Sequence, residues 1–179
     1  MRQTSGPVLR LPEPALVILV GPAGAGKSTL AARLFARDEI LSSDAFRAVV
    51  SGDEANQRAT KTAFAILHRQ LEKRLAAGRT TVIDATNVTA FARRGLLRRA
   101  AAHGIPAVAL VLDLDPDLVV ARNAARSGRV VPEPAVRRQL ADLAASMRDG
   151  VLEAEGFAAV HLIRSAADLD ALSIARSGG

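Results

Sequence analysis

The stretch Leu16-Val17-Ile18-Leu19-Val20-Gly21-Pro22-Ala23-Gly24-Ala25-Gly26-Lys27-Ser28-Thr29 decides the fold. Its first five residues form an unbroken apolar run of strand length, the form taken by a strand buried on both faces. From Gly21 to Ser28 the chain fits the pattern G-x-x-x-x-G-K-[ST] at every fixed position. A strand leading into such a loop and then a helix makes an anion cradle. The glycines let backbone N–H groups curl around phosphate oxygens, and the helix points its positive N-terminal end at the same place. Gly21, Pro22, Ala23, Gly24, Ala25, Gly26, Lys27, Ser28 and Thr29 are therefore expected to hold the phosphates of ATP or another nucleoside triphosphate. Lys27 is expected to reach the β and γ phosphates, and the Ser28 hydroxyl to ligate the Mg²⁺ that bridges them.

Outward from this stretch, apolar runs alternate with helical patterns. The spacing predicts a helix over 28–36, a short strand over 40–42, and helices over 44–50 and 60–77. A strand over 80–83 then precedes a helix over 89–103, a strand over 107–112 precedes a helix over 116–126, and a further helix begins near Glu133. A strand over 159–163 and a helix over 166–175 close the pattern. Such alternation predicts an α/β fold, a parallel sheet flanked by helices, in a single domain over 15–176. Residues 1–14, with four Gly and Pro residues, read as a loose leader, and 177–179 as a frayed tail. The segment 116–150 reads as a helical lid.

Ligands of open parallel sheets sit beyond the carboxyl ends of the strands, which draws attention to the residues that follow each one. Asp44 and Arg47 lie three residues apart after the second strand of the core, so both can face one cleft. A carboxylate there can take the proton of an attacking alcohol, and a guanidinium can hold a phosphate. The plainer alternative is a helix start, capped by Ser42 or Ser43 with Asp44 complementing the helix dipole. Asp84 ends the apolar run Thr81-Val82-Ile83 and is expected to hold Mg²⁺ through water, with Thr86 and Asn87 orienting the acceptor; a local Asx turn would use the same residues. Arg122 and Arg126 emerge from one face of a short helix, where they can close on a phosphoryl group or stand in solvent.

Composition narrows the function classes. The 179 residues carry a formal charge of +6, almost all of the cations being arginine, which suits a polyanionic partner or a merely solvated surface. There is no cysteine, hence no disulfide, no thiolate chemistry and no sulfur-based zinc site; a cytoplasmic location is expected. No apolar run approaches the roughly 18 residues of a membrane span. With no Trp or Tyr, base stacking would fall to Phe46, Phe64 or Phe91. Arg93, Arg94, Arg98 and Arg99 can track a nucleic-acid backbone or form a solvated helix face. His68, His103 and His161 have no metal-type spacing.

Four segments together, GPAGAGKST from Gly21, LSSDAFR from Leu41, TTVIDATN from Thr80 and ARNAAR from Ala121, resemble the kinase domain of the bacterial polynucleotide kinase-phosphatase family. Asp53-Glu54-Ala55-Asn56-Gln57, LEKRLAAG over 71–78 and Glu155-Gly156-Phe157 look similar too. The resemblance implies ATP-dependent transfer of the γ-phosphate to a 5′-hydroxyl end of RNA or DNA, in nucleic-acid end repair. It implies that Lys27 and Ser28 bind ATP and Mg²⁺, that Asp44 is the general base, that Arg47 contacts phosphate at the reacting end, and that Arg122 and Arg126 are lid arginines. Members of that family usually continue into a phosphatase and a ligase-like module, so such a module is expected on a longer or a separate chain. Two other readings stay open: a small-molecule kinase acting on a nucleoside, sugar or antibiotic, and a nucleotide-responsive binding module.

Overall fold

The computed structural model describes residues 7–46 and 60–178, so Arg47 and the Asp53–Gln57 segment lie outside the described residues. In chain order the elements are β1 (Val8–Glu13), β2 (Leu16–Val20), α1 (Lys27–Leu34), β3 (Ile40–Ser42), α2 (Thr60–Ala76), β4 (Thr81–Asp84), α3 (Ala90–Ala102), β5 (Ala107–Leu112), α4 (Pro116–Ala124), α5 (Glu133–Ser146), β6 (Ala159–Ile163), α6 (Ala166–Ala171) and β7 (Ser173–Gly178). Five strands form one parallel sheet in the order β3-β4-β2-β5-β6. The chain has the α/β class expected of it, with the sheet flanked by helices.

Alternation along the strands divides the core in two. Val17 and Leu19 of β2, with Val108, Leu110 and Leu112 of β5, face the cluster that includes Leu30, Val119, Val136 and Leu169. Leu16, Ile18 and Val20, with Ala107, Ala109 and Val111, face Leu67, Leu71 and Leu75 of α2 and Leu96 and Ala100 of α3. Every residue of β2 is excluded from solvent, which is why its sequence is continuously apolar rather than alternating. Helix α5 feeds both cores, Val136 entering one and Leu143 the other. After β2 the chain crosses to β3 and returns to β4 on one side, then passes to β5 and β6 on the other. The loops leaving β2 and its neighbours thus part in opposite directions above β2, and a crevice opens there.

Four expectations are corrected. Residues 8–13 are not a loose leader: β1 pairs in parallel with β7 from Val8↔Ser173 to Glu13↔Gly178, and Leu11 is 2% exposed. Pro12 is tolerated because this two-stranded sheet has open edges, where a missing N–H breaks no ladder. The same pairing takes Ser177 and Gly178 out of the frayed tail. The last helix stops at Ala171 rather than Ala175 because Arg33 of α1 donates hydrogen bonds to the carbonyls of Leu169 and Leu172, after which the chain extends into β7. Arg93, read as part of an exposed or strand-tracking face, is wholly buried. Its guanidinium donates to both carboxylate oxygens of Glu155 at 2.7 and 2.5 Å, to the Asn87 carbonyl at 2.8 Å and to Ser146 Oγ at 3.1 Å. It ties α3, α5 and residue 155 together; Arg94 and Arg98 stay exposed.

Candidate active site

The loop between β2 and α1 is shaped by two glycines in the left-handed region, Gly24 at φ +88° and Gly26 at φ +98°. At Gly24 a Cβ would lie 2.5 Å from the Val119 carbonyl oxygen and 2.9 Å from the Asn123 nitrogen, so only glycine lets the loop lie against α4. Gly21 N–H donates to the Thr86 carbonyl at 2.9 Å, tying the loop to the turn after β4. Gly26 caps α1 without any side-chain bond, and no acidic residue stands in the first turn. The amides at that end are left for an anion.

Lys27 is buried, and its ammonium donates to the carbonyls of Gly21 at 2.9 Å and Pro22 at 2.8 Å. Burial pushes its pKa down from 10.5 to about 8; the nearby Asp84 carboxylate opposes this shift and the Arg126 guanidinium adds to it. Ser28 Oγ donates to Asp84 Oδ2 at 2.7 Å. The hydroxyl and carboxylate that sequence places 56 residues apart thus form one oxygen-only pair beside the loop. That donor set suits a hard cation such as Mg²⁺ completed by phosphate and water oxygens. No group of three or more His, Asp or Glu side chains able to hold a metal occurs among the described residues.

Around this loop lies a cavity of about 510 Å³. Its wall brings together Ala23, Gly24, Gly26, Lys27, Ser28 and Thr29 with Asp44, Asp84, Thr86, Arg122 and Arg126. Gly21, Pro22 and Ala25 shape the loop from beneath, the first two through their carbonyls and Ala25 as a fully buried side chain. Asn87 is the residue that geometry moves out of the expected acceptor set. It is buried at φ +48°, with its amide donating to the carbonyls of Leu19 at 2.8 Å and Ala85 at 3.2 Å, so it braces the end of β2. Of the phenylalanines named for stacking, Phe64 lines the cavity, Phe46 packs against the α2–α3 core and Phe91 is 86% exposed. No histidine lines the cavity.

Three residues of the site were missed in the sequence. Arg129 donates to Asp44 Oδ1 at 3.2 Å across 85 residues. Asn123 is buried and clips the loop over 124–131, its amide donating to the Val131 carbonyl at 2.7 Å while its oxygen accepts Val131 N–H at 3.2 Å. The clip holds the segment that carries both Arg126 and Arg129 against α4. Gln139 of α5 accepts the Ala23 N–H at 2.8 Å. Only Gln139 left a sequence trace: it is polar yet lies between core positions Val136 and Leu143 at helical spacing.

The AAA_33 family profile, described as an AAA domain, matches residues 16–149. A search of the curated proteins gave no match. Among solved structures, the Pnkp1/Rnl/Hen1 RNA repair complex is similar at 23% identity and TM-score 0.65, over 76% of this chain and 46% of that one. The AvrRxo1-ORF1:-ORF2 complex with ATP matches at 13% identity and TM-score 0.69, over 86% of this chain and 55% of that one. A gluconokinase from Sinorhizobium meliloti 1021 matches at 18% identity and TM-score 0.54, over 89% and 87%. This chain spans less than two thirds of the length of the first two, and at these identities the likeness is one of fold. The residues around the phosphate loop, the sheet order and the profile match agree: the chain belongs to the AAA_33 family of AAA domains and has the fold of a P-loop kinase.

Proposed function

We propose that this protein is a polynucleotide 5′-hydroxyl kinase, transferring the γ-phosphate of ATP to 5′-hydroxyl ends of RNA or DNA. The observation that carries the phosphotransfer reading is the convergence of Lys27, Ser28, Asp84, Asp44, Arg122 and Arg126 on one cavity. The four-segment resemblance to polynucleotide kinases and the arginine-rich charge support the polynucleotide acceptor.

In this reading the acceptor's 5′-oxygen attacks the γ-phosphorus in line, a new P–O bond forms, the bond to the β–γ bridging oxygen breaks, and ADP leaves. Asp44 takes the proton from the 5′-hydroxyl, with Arg129 holding its carboxylate in orientation. The Lys27 ammonium exchanges its two loop carbonyls for phosphate oxygens. Arg122 and Arg126, on the lid formed by α4 and the loop after it, neutralise charge as it spreads over the transferring group. Ser28 and Asp84 would hold Mg²⁺, which when bound supplies further charge neutralisation on the phosphates. Arg47, outside the described residues, keeps its proposed role at the phosphate of the reacting end, as Thr86 keeps its role toward the acceptor.

The test is transfer from γ-labelled ATP with Mg²⁺ to matched RNA and DNA oligonucleotides ending in a 5′-hydroxyl or a 5′-phosphate. Label is expected only on 5′-hydroxyl ends. Asp44→Asn should lower that transfer about 10²–10⁴-fold while ATP binding is kept. Transfer to a sugar or nucleoside with none to oligonucleotides would replace the acceptor; full turnover in the Asp44→Asn variant would remove Asp44 from the chemistry.

A further inference from the structure

We propose that Gln139 binds the terminal phosphoryl group of the nucleotide, so that α5 distinguishes triphosphate from diphosphate. The inference rests on the nucleotide-binding reading of the cavity and adds a residue to it.

Gln139 Oε1 accepts the Ala23 N–H at 2.8 Å across 116 residues of sequence, and the side chain lines the cavity. Ala23 directly follows Gly21 and Pro22, whose carbonyls hold the Lys27 ammonium. The Pro22 carbonyl that accepts from Lys27 and the Ala23 N–H that Gln139 accepts belong to one peptide unit, so Gln139 meets the loop one peptide away from the ammonium that reaches the β and γ phosphates. The orientation of that amide is determined by chemistry. A backbone N–H can only donate, so the oxygen of Gln139 must face Ala23 and its NH₂ must face the other way. The side chain therefore has two N–H donors turned away from Ala23, on a residue that lines the cavity, for an arriving γ-phosphoryl oxygen. Val136 and Leu143, three residues before and four after, are both buried, so Gln139 projects from a fixed part of the helix. A neutral donor at this point strengthens binding only when a third phosphate is present; ADP has nothing there to accept it.

The experiment is calorimetric titration of the full chain with Mg²⁺-ADP and with a Mg²⁺-bound non-hydrolysable ATP analogue, for wild type, Gln139→Glu and Gln139→Met. No acceptor is needed, so its identity does not enter. Gln139→Glu keeps an oxygen for the Ala23 N–H but turns a carboxylate oxygen toward the phosphate. It is expected to weaken the ATP analogue about tenfold or more while ADP changes less than about threefold. Gln139→Met, similar in volume and without polar atoms, should lose triphosphate preference in the same direction. Equal losses for both nucleotides would make Gln139 a strut of the loop and overturn the proposal, as would no change in either. A wild-type chain that binds neither nucleotide would overturn the nucleotide reading itself, and this proposal with it, whereas failure to label oligonucleotides would leave the Gln139 result intact.

Discussion

At the scale of single residues, Lys27 joins structure to function most directly. Its pKa is lowered to about 8 because the free site surrounds the ammonium with protein rather than water. A bound triphosphate brings negative charge to within contact and restores the protonated form. Nucleotide binding just above pH 8 is therefore expected to take up a proton. Calorimetric ATP binding there should give heats that vary with the ionisation enthalpy of the buffer, the variation fading well below pH 8. Buffer-independent heats above pH 8 would show that Lys27 is already charged in the free protein. The linkage has a definite sign: the folded pKa lies below the unfolded one, so the free protein gains stability as pH rises from about 8 toward 10.5. The loop motif was legible residue by residue because its requirements are local: positive φ at Gly24 and Gly26, and a lysine at the start of a helix. Asn87 was misread for the same reason. A polar residue after a strand looks alike whether it faces a ligand or the two carbonyls of Leu19 and Ala85.

At the scale of elements, the two helices after β5 are held to the phosphate loop by packing and by a side-chain clip. Gly24 lies against Val119 and Asn123 of α4, and Asn123 closes the loop over 124–131 through both polar atoms of its amide. Asn123→Ala would leave a buried N–H and carbonyl of Val131 without partners, at a cost of about 1–3 kcal/mol. Because the clip holds the segment bearing Arg126 and Arg129, the loss should also appear as a raised KM for ATP and a lowered kcat. Urea unfolding and steady-state kinetics on the same variant check this. A variant destabilised by that amount with unchanged kinetics would confine Asn123 to the scaffold. Apart from α6 and the helix expected over 44–50, which runs outside the described residues, helices and strands of the sheet were predicted nearly at their observed bounds, since the periodicity of a buried element is set by its own burial. The clip left no such trace, because it depends on where a loop returns to its helix.

At the scale of the whole molecule, the small β1–β7 sheet is fastened to the body by Arg176. Its guanidinium donates to both carboxylate oxygens of Glu39 at 2.5 and 2.7 Å, meets Glu13 at 3.4 Å and lies 5.8 Å from the centroid of the Phe35 ring. The hydrogen bonds from Arg176 hold the Glu39 carboxyl below its ordinary 4.5. A depressed carboxyl pKa stabilises the fold above the unfolded value and loses that contribution as pH falls through the folded one. Arg176→Ala should therefore be less stable than wild type near neutrality, with the difference closing below about pH 4.5. Urea unfolding of both proteins across that range decides it; a difference independent of pH would assign the effect to packing on Phe35 alone. By itself, the sequence determined the phosphate loop, the parallel α/β sheet and most of the residues gathered at its carboxyl edge, because each depends on local pattern and on the rule that crevices open at strand ends. Only the tertiary structure decided that residues 8–13 pair with 173–178, that Arg93 is a buried hub, and that Arg129 and Gln139 reach Asp44 and Ala23. Those contacts join residues tens to more than a hundred positions apart, and their partners are fixed by how the elements pack, which no local spacing encodes.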